Sequence, residues 1–395
     1  MKPKLIPCLV LVLSGGLQSF YSSAKGTTAL FPITEINPGS ALTNMASAFT
    51  DDSAFENWII SYGFIDQSDD IAIPPNTNWW PNMHLEDRHF VEGLEPVQMR
   101  WTPGTTNGFK WGYLDEKGKF AVEPQFSYAQ PFSEGLAAVR DVSGRYGYKY
   151  GYIDHTGKYV ITPQFDEAFA FSDGFACVGV SNLFGYIDKR GAFIIKPQYH
   201  SGATHGFAEG LVWVEVDGKW GCVNEKGETV IGFKFTEPSY FSEGLAPVTV
   251  ADSNAPPNFP GSMGYIDKTG ALVIAPQFSL AWNFSGGLAR VEEGGKMIYI
   301  NKQGKTVFTI PDGFWADEFS EGLANVSIRK DSQNEVWGYI NQKGDFVIKP
   351  QFQQAKPFYQ GLASVFINGQ EGYIDKSGKF VWKGKTNPMW QPETK

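Results

Sequence analysis

The sequence writes one sentence eight times, with a degraded ninth copy at its start, and this periodicity constrains the fold more than any other feature. The clearest copy runs Trp111-Gly112-Tyr113-Leu114-Asp115-Glu116-Lys117-Gly118-Lys119-Phe120-Ala121-Val122-Glu123-Pro124-Gln125-Phe126 and continues at Phe132-Ser133-Glu134-Gly135-Leu136-Ala137-Ala138-Val139. The Gly of its Gly-Tyr-Ile-Asp segment recurs at Gly112, Gly151, Gly185, Gly221, Gly264, Gly338 and Gly372, with Ile298 in its place once. The Gly of Gly-Leu-Ala recurs at Gly93, Gly135, Gly174, Gly210, Gly244, Gly287, Gly322 and Gly361, at intervals of 34 to 43 residues. A unit of that size cannot bury its apolar face alone, so the copies must stack into a solenoid, propeller or array.

Each copy reads as a three-stranded antiparallel meander. Segment A is Leu-Ala-x-Val, segment B is Gly-Tyr-Ile-Asp, and segment C alternates as Phe-x-Val/Ile-x-Pro-x-Phe. Between B and C an Asp or Asn always stands three residues ahead of a Gly, as at Asp115 and Gly118 or Asn224 and Gly227. That is the signature of a type I turn with a left-handed Gly, in which the side-chain oxygen accepts turn amides. Asn at 224, 301 and 341 can make that hydrogen bond and cannot act as a general acid or base, so the acidic column is structural. The proline of segment C lacks an N–H and belongs at an edge or a bulge.

The pattern Trp-Gly-Tyr-Ile-Asp, Gly-Lys, Pro-Gln-Phe and Phe-Ser-Glu-Gly-Leu-Ala resembles the WG-repeat (KWG) family of bacterial proteins, from about Tyr62 to Trp382. The resemblance implies an all-β repeat that serves as an interaction scaffold. Two departures stand out: Gly232-Phe233-Lys234-Phe235 replaces Pro-Gln-Phe in one copy, and residues 71–92 are irregular.

Positions common to all copies serve the fold, so recognition is sought where copies differ. From the Val of segment A to the Gly of segment B the separations are 15, 12, 7, 7, 16, 7, 12 and 7 residues. The short links carry Asp217-Gly218, Gly294-Gly295 and Asn368-Gly369, dipeptides suited to two-residue hairpins. The four long links, 98–110, 140–150, 249–262 and 327–336, emerge on one rim of a stack. They carry Arg100, Trp101, Arg140, Arg145, Tyr146, Tyr148, Arg329 and Lys330, the aromatic and Arg types that dominate binding hot spots, and these are the candidate binding residues. A second candidate surface is the Tyr column of segment B, namely Tyr113, Tyr152, Tyr186, Tyr265, Tyr299, Tyr339 and Tyr373, interrupted by Cys222. If exposed it would suit a glycan, and if buried it is packing between copies.

No catalytic signature is present: no nucleophile elbow, zinc helix, Walker loop or dinucleotide fingerprint. The histidine pairs His84 with His89 and His200 with His205 lack a helix to present both rings to one metal, so no metal or cofactor is expected. The formal net charge of -9 argues against nucleic acid, which requires clustered Lys and Arg.

Lys2 and Lys4 precede an apolar run, Leu5 to Leu13, and Ser22-Ser23-Ala24 offers a cleavage site, which together read as a secretory signal peptide over 1–24. No later stretch is apolar enough to span a membrane. The expected organisation is a cap segment over 25–60 with a short helix from Ala41 to Trp58, the repeat array over 61–382, and a polar tail over 383–395. The fold expected is all-β, tandem three-stranded antiparallel meanders forming an open solenoid or superhelix, or a propeller-like toroid. The expected role is an exported, secreted or periplasmic, non-enzymatic scaffold for protein–protein interaction. A carbohydrate- or cell-wall-binding module is the alternative.

Overall fold

The turn signals close where the apolar runs end, and segments A, B and C form the antiparallel meander that the pattern predicts. In one copy segment A is Ala137–Arg140, segment B is Tyr150–Ile153 and segment C is Tyr159–Phe165, each antiparallel to the next. The computed structural model describes residues 31–38, 58–65, 71–76, 79–81, 90–99, 110–141, 147–200, 206–236, 239–250, 261–329 and 335–384. Among these are 33 strands and no helix, in nine small antiparallel sheets that follow chain order and that we number 1 to 9. Among the described residues the sheets stand in tandem and are not closed into a ring.

Six sheets add a fourth strand ahead of segment A, such as Tyr128–Ala129 or Glu167–Ala168. In five of the six it has only two or three residues, too few to print a period on the sequence, and only in sheet 7 does it lengthen, to Leu280–Ser285. Sheet 1 pairs Phe31–Pro38, Trp58–Ile65 and Ile71–Asn76, so part of the segment assigned to the cap is a strand. The signal peptide over 1–24, the helix expected over 41–58 apart from Trp58, and the tail beyond Gly384 lie outside the described residues.

The core lies between sheets. Tyr152, Ile161 and Phe165 of sheet 3 pack against Ala168, Phe171, Ala176, Val178 and Ile187 of sheet 4, and the same contact recurs along the row. Segments A and B are buried on both faces, whereas segment C buries every second side chain, as in Tyr159–Phe165. Segment C is therefore the outer edge of each sheet, and only there does strict alternation survive.

The Gly of segment B has a specific cause. Pairing jumps from Trp111 opposite Phe126 to Tyr113 opposite Val122, so Gly112 faces a bulge that contains Pro124. A Cβ on Gly112 would lie 2.6 Å from the Val122 carbonyl oxygen, and on Gly264 it would lie 2.5 Å from that of Ile274. The exception explains itself. In sheet 7 segment C is the proline-free Thr306–Thr309, Ile298 pairs directly with Thr309, and no bulge crowds it. Gly264→Ala is thus expected to destabilise the protein by about 3 kcal/mol, the upper end of overpacking costs. Thermal unfolding checks this, and a loss no greater than a few tenths of a kcal/mol would contradict the close approach.

Candidate functional site

A meander that runs lead strand, A, B, C places two kinds of connection at opposite ends of every sheet. The Phe-Ser-Glu-Gly and Asp-x-x-Gly turns share one rim, and the A–B links share the other with the C-to-lead connections. The two rims differ in how fully they are tied down.

On the first rim the repeat residues hold one sheet to the next. Ser133, Ser172, Ser242, Ser285 and Ser320 each donate to the Phe carbonyl of the following copy, over 2.5–2.7 Å. The neighbouring carboxylates Glu92, Glu134, Asp173, Glu209, Glu243 and Glu321 accept from the next copy's turn glycine N–H. Four are also paired with a lysine of that next sheet, Lys189 with Glu134, Lys268 with Glu209, Lys302 with Glu243 and Lys376 with Glu321, and a ring nitrogen of His155 lies 2.8 Å from the Glu92 carboxylate. These acidic residues adopt φ between 51° and 55°, a left-handed conformation uncommon outside Gly. The pairing between sheets explains why an acid rather than Gly holds the position. Where the acid is lost, at Gly286, the cation is lost too, and Gln342 donates instead to the Gly286 carbonyl.

The turn column is equally committed. At Asp115, Asp154, Asp188 and Asp267, and identically at Asn224, Asn301 and Asn341, one side-chain oxygen accepts N–H groups two and four residues on. A hydroxyl from Thr156, Thr269 or Ser377, and the Arg190 guanidinium at Asp188, hold the carboxyls of Asp154, Asp267, Asp375 and Asp188 below the usual range. A general acid needs the opposite shift.

The Tyr column is buried. Tyr113, Tyr152, Tyr186, Tyr265, Tyr299, Tyr339 and Tyr373 are at most 4% exposed. The hydroxyls of Tyr113, Tyr152, Tyr265 and Tyr339 donate over 2.6–2.8 Å to carbonyls of the next sheet, at Gln130, Phe169, Trp282 and Lys356, and Tyr299 does the same at Asp317. The first six rings each rest on the next copy's Phe, as Tyr152 does on Phe171, and Tyr373 in the last sheet meets Trp382 of its own sheet instead. No ring face is open to stack on a sugar. The break at Cys222 is filled by its cross-strand neighbour Trp213, whose ring lies parallel to Phe241 at 6.0 Å. Cys177 and Cys222 are both free and buried, and burial pushes the Cys177 thiol up to about 12 and that of Cys222 higher still.

Of the residues singled out by link length, the second rim carries the three that the structure describes. Arg140, Tyr148 and Arg329 are described; Arg100, Trp101, Arg145, Tyr146 and Lys330 lie outside the described residues. Arg140 and Tyr148 come together: the Arg140 Nε–H donates to the Tyr148 carbonyl at 2.9 Å, and the guanidinium lies 5.8 Å from the Tyr150 ring centre. Tyr148 is exposed, with φ 59°. Arg329 ends segment A of sheet 8, five sheets further along, where its N–H donates to the Gly313 carbonyl. His84, His89 and His205 fall outside the described residues.

Sequence reasoning missed a cluster where sheets 6, 7 and 8 meet. Arg290, in segment A of sheet 7, is only 5% exposed. Its guanidinium sits in the corner of two perpendicular rings, 3.8 Å from the centre of Trp282 and 4.6 Å from that of Trp315. It donates to the Ala316 carbonyl and lies 3.7 Å from Asp317 Oδ1, while its Nε–H has no hydrogen-bond partner. Trp282 occupies a bulge between Ala281 and Phe284 in the lead strand of sheet 7. Asn325 donates to Asp317 at 2.6 Å, and Ser239 and Asn283 are hydrogen-bonded at 3.0 Å. Desolvation raises the Glu318 carboxyl to about 7, against the attraction of Arg290. Its sequence signal was an Arg at a segment A position that holds Ala138 or Cys177 in other copies.

Beside this cluster the second rim has a shallow groove of about 450 Å³ between sheets 7 and 8, lined by residues that include Glu292, Met297, Ile310, Asp312, Phe314 and Trp315.

A family described as "WG containing repeat" matches this chain at residues 111–146, 150–183, 184–220, 220–252, 263–296 and 337–370. No curated protein matches it. Among solved structures, one described as a eukaryotic initiation factor superposes with a TM-score of 0.53 at 11% identity, over 84% of this chain and 95% of that one. BamB from Moraxella catarrhalis gives a TM-score of 0.38 at 12% identity, over 76% and 94%. A puromycin hydrolase gives 0.36 at 9% identity, over 76% and 53%. Likeness at such identity concerns the fold alone.

Proposed function

Because this chain belongs to the WG-containing repeat family, we propose that it is a non-enzymatic scaffold, exported from the cell, that binds a protein partner through its second rim. The observation that carries this reading is the asymmetry between rims. On the first, the repeated Ser and carboxylate side chains hold the next sheet and leave little for a ligand. On the second, link lengths vary from copy to copy, and exposed aromatic and Arg side chains such as Tyr148 and Arg140 gather there. Burial of the Tyr column takes away the surface a glycan would have used.

The test compares the parent protein with a variant whose links 98–110, 140–150, 249–262 and 327–336 are each shortened to a two-residue Asn-Gly hairpin. Cross-linking in an envelope fraction is expected to capture a defined protein with the parent and at least tenfold less with the trimmed chain. Equal capture by both, with unchanged circular dichroism, would overturn the assignment to this rim.

A further inference from the structure

We infer that the groove between sheets 7 and 8 binds a basic, extended segment of a protein partner, with Trp315 as the anchor and Glu292 and Asp312 as the charge contacts. This deepens the scaffold reading and rests on it. The groove belongs to the second rim: it is formed by the A–B hairpin of sheet 7, the connection Pro311–Gly313 and the lead strand Phe314–Ala316. Of the four long links, 327–336 belongs to sheet 8, which forms one wall, and 249–262 to sheet 6, the neighbour of sheet 7 on its far side; the N–H of Arg329 bonds directly to Gly313 in the wall.

Trp315 is built to be an anchor. It is 42% exposed, yet its ring is held by the Arg290 guanidinium and the edge of Trp282, and its Nε1–H donates to Asp317 Oδ1 at 3.3 Å. An exposed aromatic that is already fixed loses little side-chain freedom on binding. Met297, Ile310 and Phe314 extend the apolar floor.

Charge selects the occupant. The groove's own ionisable residues are Glu292 and Asp312, both acidic. Around it stand Glu293 with its cross-strand neighbour Lys296, together with Arg329, Glu335 and Asp317, so the local sum remains negative within a chain of formal net charge -9. The positive Arg290 lies beneath Trp315 and disfavours a second cation on that ring. The ring therefore takes an apolar or aromatic side chain, and Lys or Arg on either side meets the carboxylates.

The test uses a fluorescein-labelled nonapeptide in which lysines alternate with leucine and tryptophan, and its counterpart with glutamate for lysine, followed by anisotropy with the full chain. The lysine peptide is expected to bind in the tens of micromolar, more weakly as salt rises, and the glutamate peptide at least tenfold less well. Trp315→Ala and, separately, the pair Glu292→Lys with Asp312→Lys are each expected to weaken binding at least tenfold. The same charge change on the opposite rim, Glu225→Lys with Glu228→Lys, is expected to leave it within twofold. No binding up to 1 mM, equal binding of both peptides, or equal loss from the two reversals would overturn the inference. If the peptide does not bind while capture in the envelope still depends on the links, the groove fails and the scaffold reading stands. If the peptide binds as stated and trimming the links does not affect capture, the groove stands and the role of the links fails.

Discussion

Replacing Trp213 by Ala is expected to be the most damaging single change in the array, and replacing Cys222 by Tyr in the same chain is expected to recover much of the loss. Trp213 is buried, lies parallel to Phe241 at 6.0 Å and meets Phe235 edge-on at 5.8 Å. Truncating such a side chain costs about 3–5 kcal/mol through lost burial and the cavity left behind. Cys222→Tyr alone should also destabilise, by about 1–3 kcal/mol, because two large rings would compete for one space. The double variant recreates the pair that sheet 3 uses, where Ala138 lies opposite Tyr152. The new hydroxyl has a position-equivalent acceptor in the carbonyl of Ser239, as Tyr265 has in that of Trp282. A double-mutant cycle in urea should therefore show a favourable coupling of at least 2 kcal/mol. Additive losses would mean that the two positions do not share one site.

That compensation illustrates what a linear reading could reach. The period, the meander, the Asx turns and the segment C bulge were legible because each rests on residues close in the chain. The break of the Tyr column at Cys222 was visible too. Its repair was not, because Trp213 and Cys222 become neighbours only through pairing between segments A and B. The short lead strands escaped notice for a related reason: Tyr128–Ala129 is too brief for a period, and its pairing is fixed by the hairpin at Ser133 and Leu136. On the binding side, link lengths pointed to a rim and to Arg140, Tyr148 and Arg329. They could not point to Trp282, Arg290 and Trp315, which lie in different strands of two sheets and are joined by packing alone.

The same cluster sets the second large prediction, which concerns pH. The Glu318 carboxyl interacts electrostatically with Arg290, Asp317 and the buried hydroxyls of Tyr240, Tyr265 and Tyr299. Desolvation and Asp317 raise it and Arg290 lowers it, and the balance stands at about 7 against an ordinary 4.5. Between those values the folded chain holds a proton that the unfolded chain has released, so stability must fall as pH rises from about 4.5 to 7 and stay low above that. The side chain keeps some contact with solvent, which reduces the effect to about 2 kcal/mol. Asp154, Asp188, Asp267 and Asp375 work in the opposite sense: their carboxyls are held low, and their contribution is lost only as pH falls through the acidic range. Glu318→Gln should accordingly raise stability by about 2 kcal/mol at pH 8 and leave it nearly unchanged at pH 4.5. Thermal unfolding of both proteins at the two pH values decides the matter. A variant equally destabilised at both would mean that Glu318 is ionised in the fold and serves Arg290 as a counter-charge. Stabilisation confined to the higher pH would place a neutral acid beside the Trp-bound Arg, leaving Asp317 as the carboxylate that balances it.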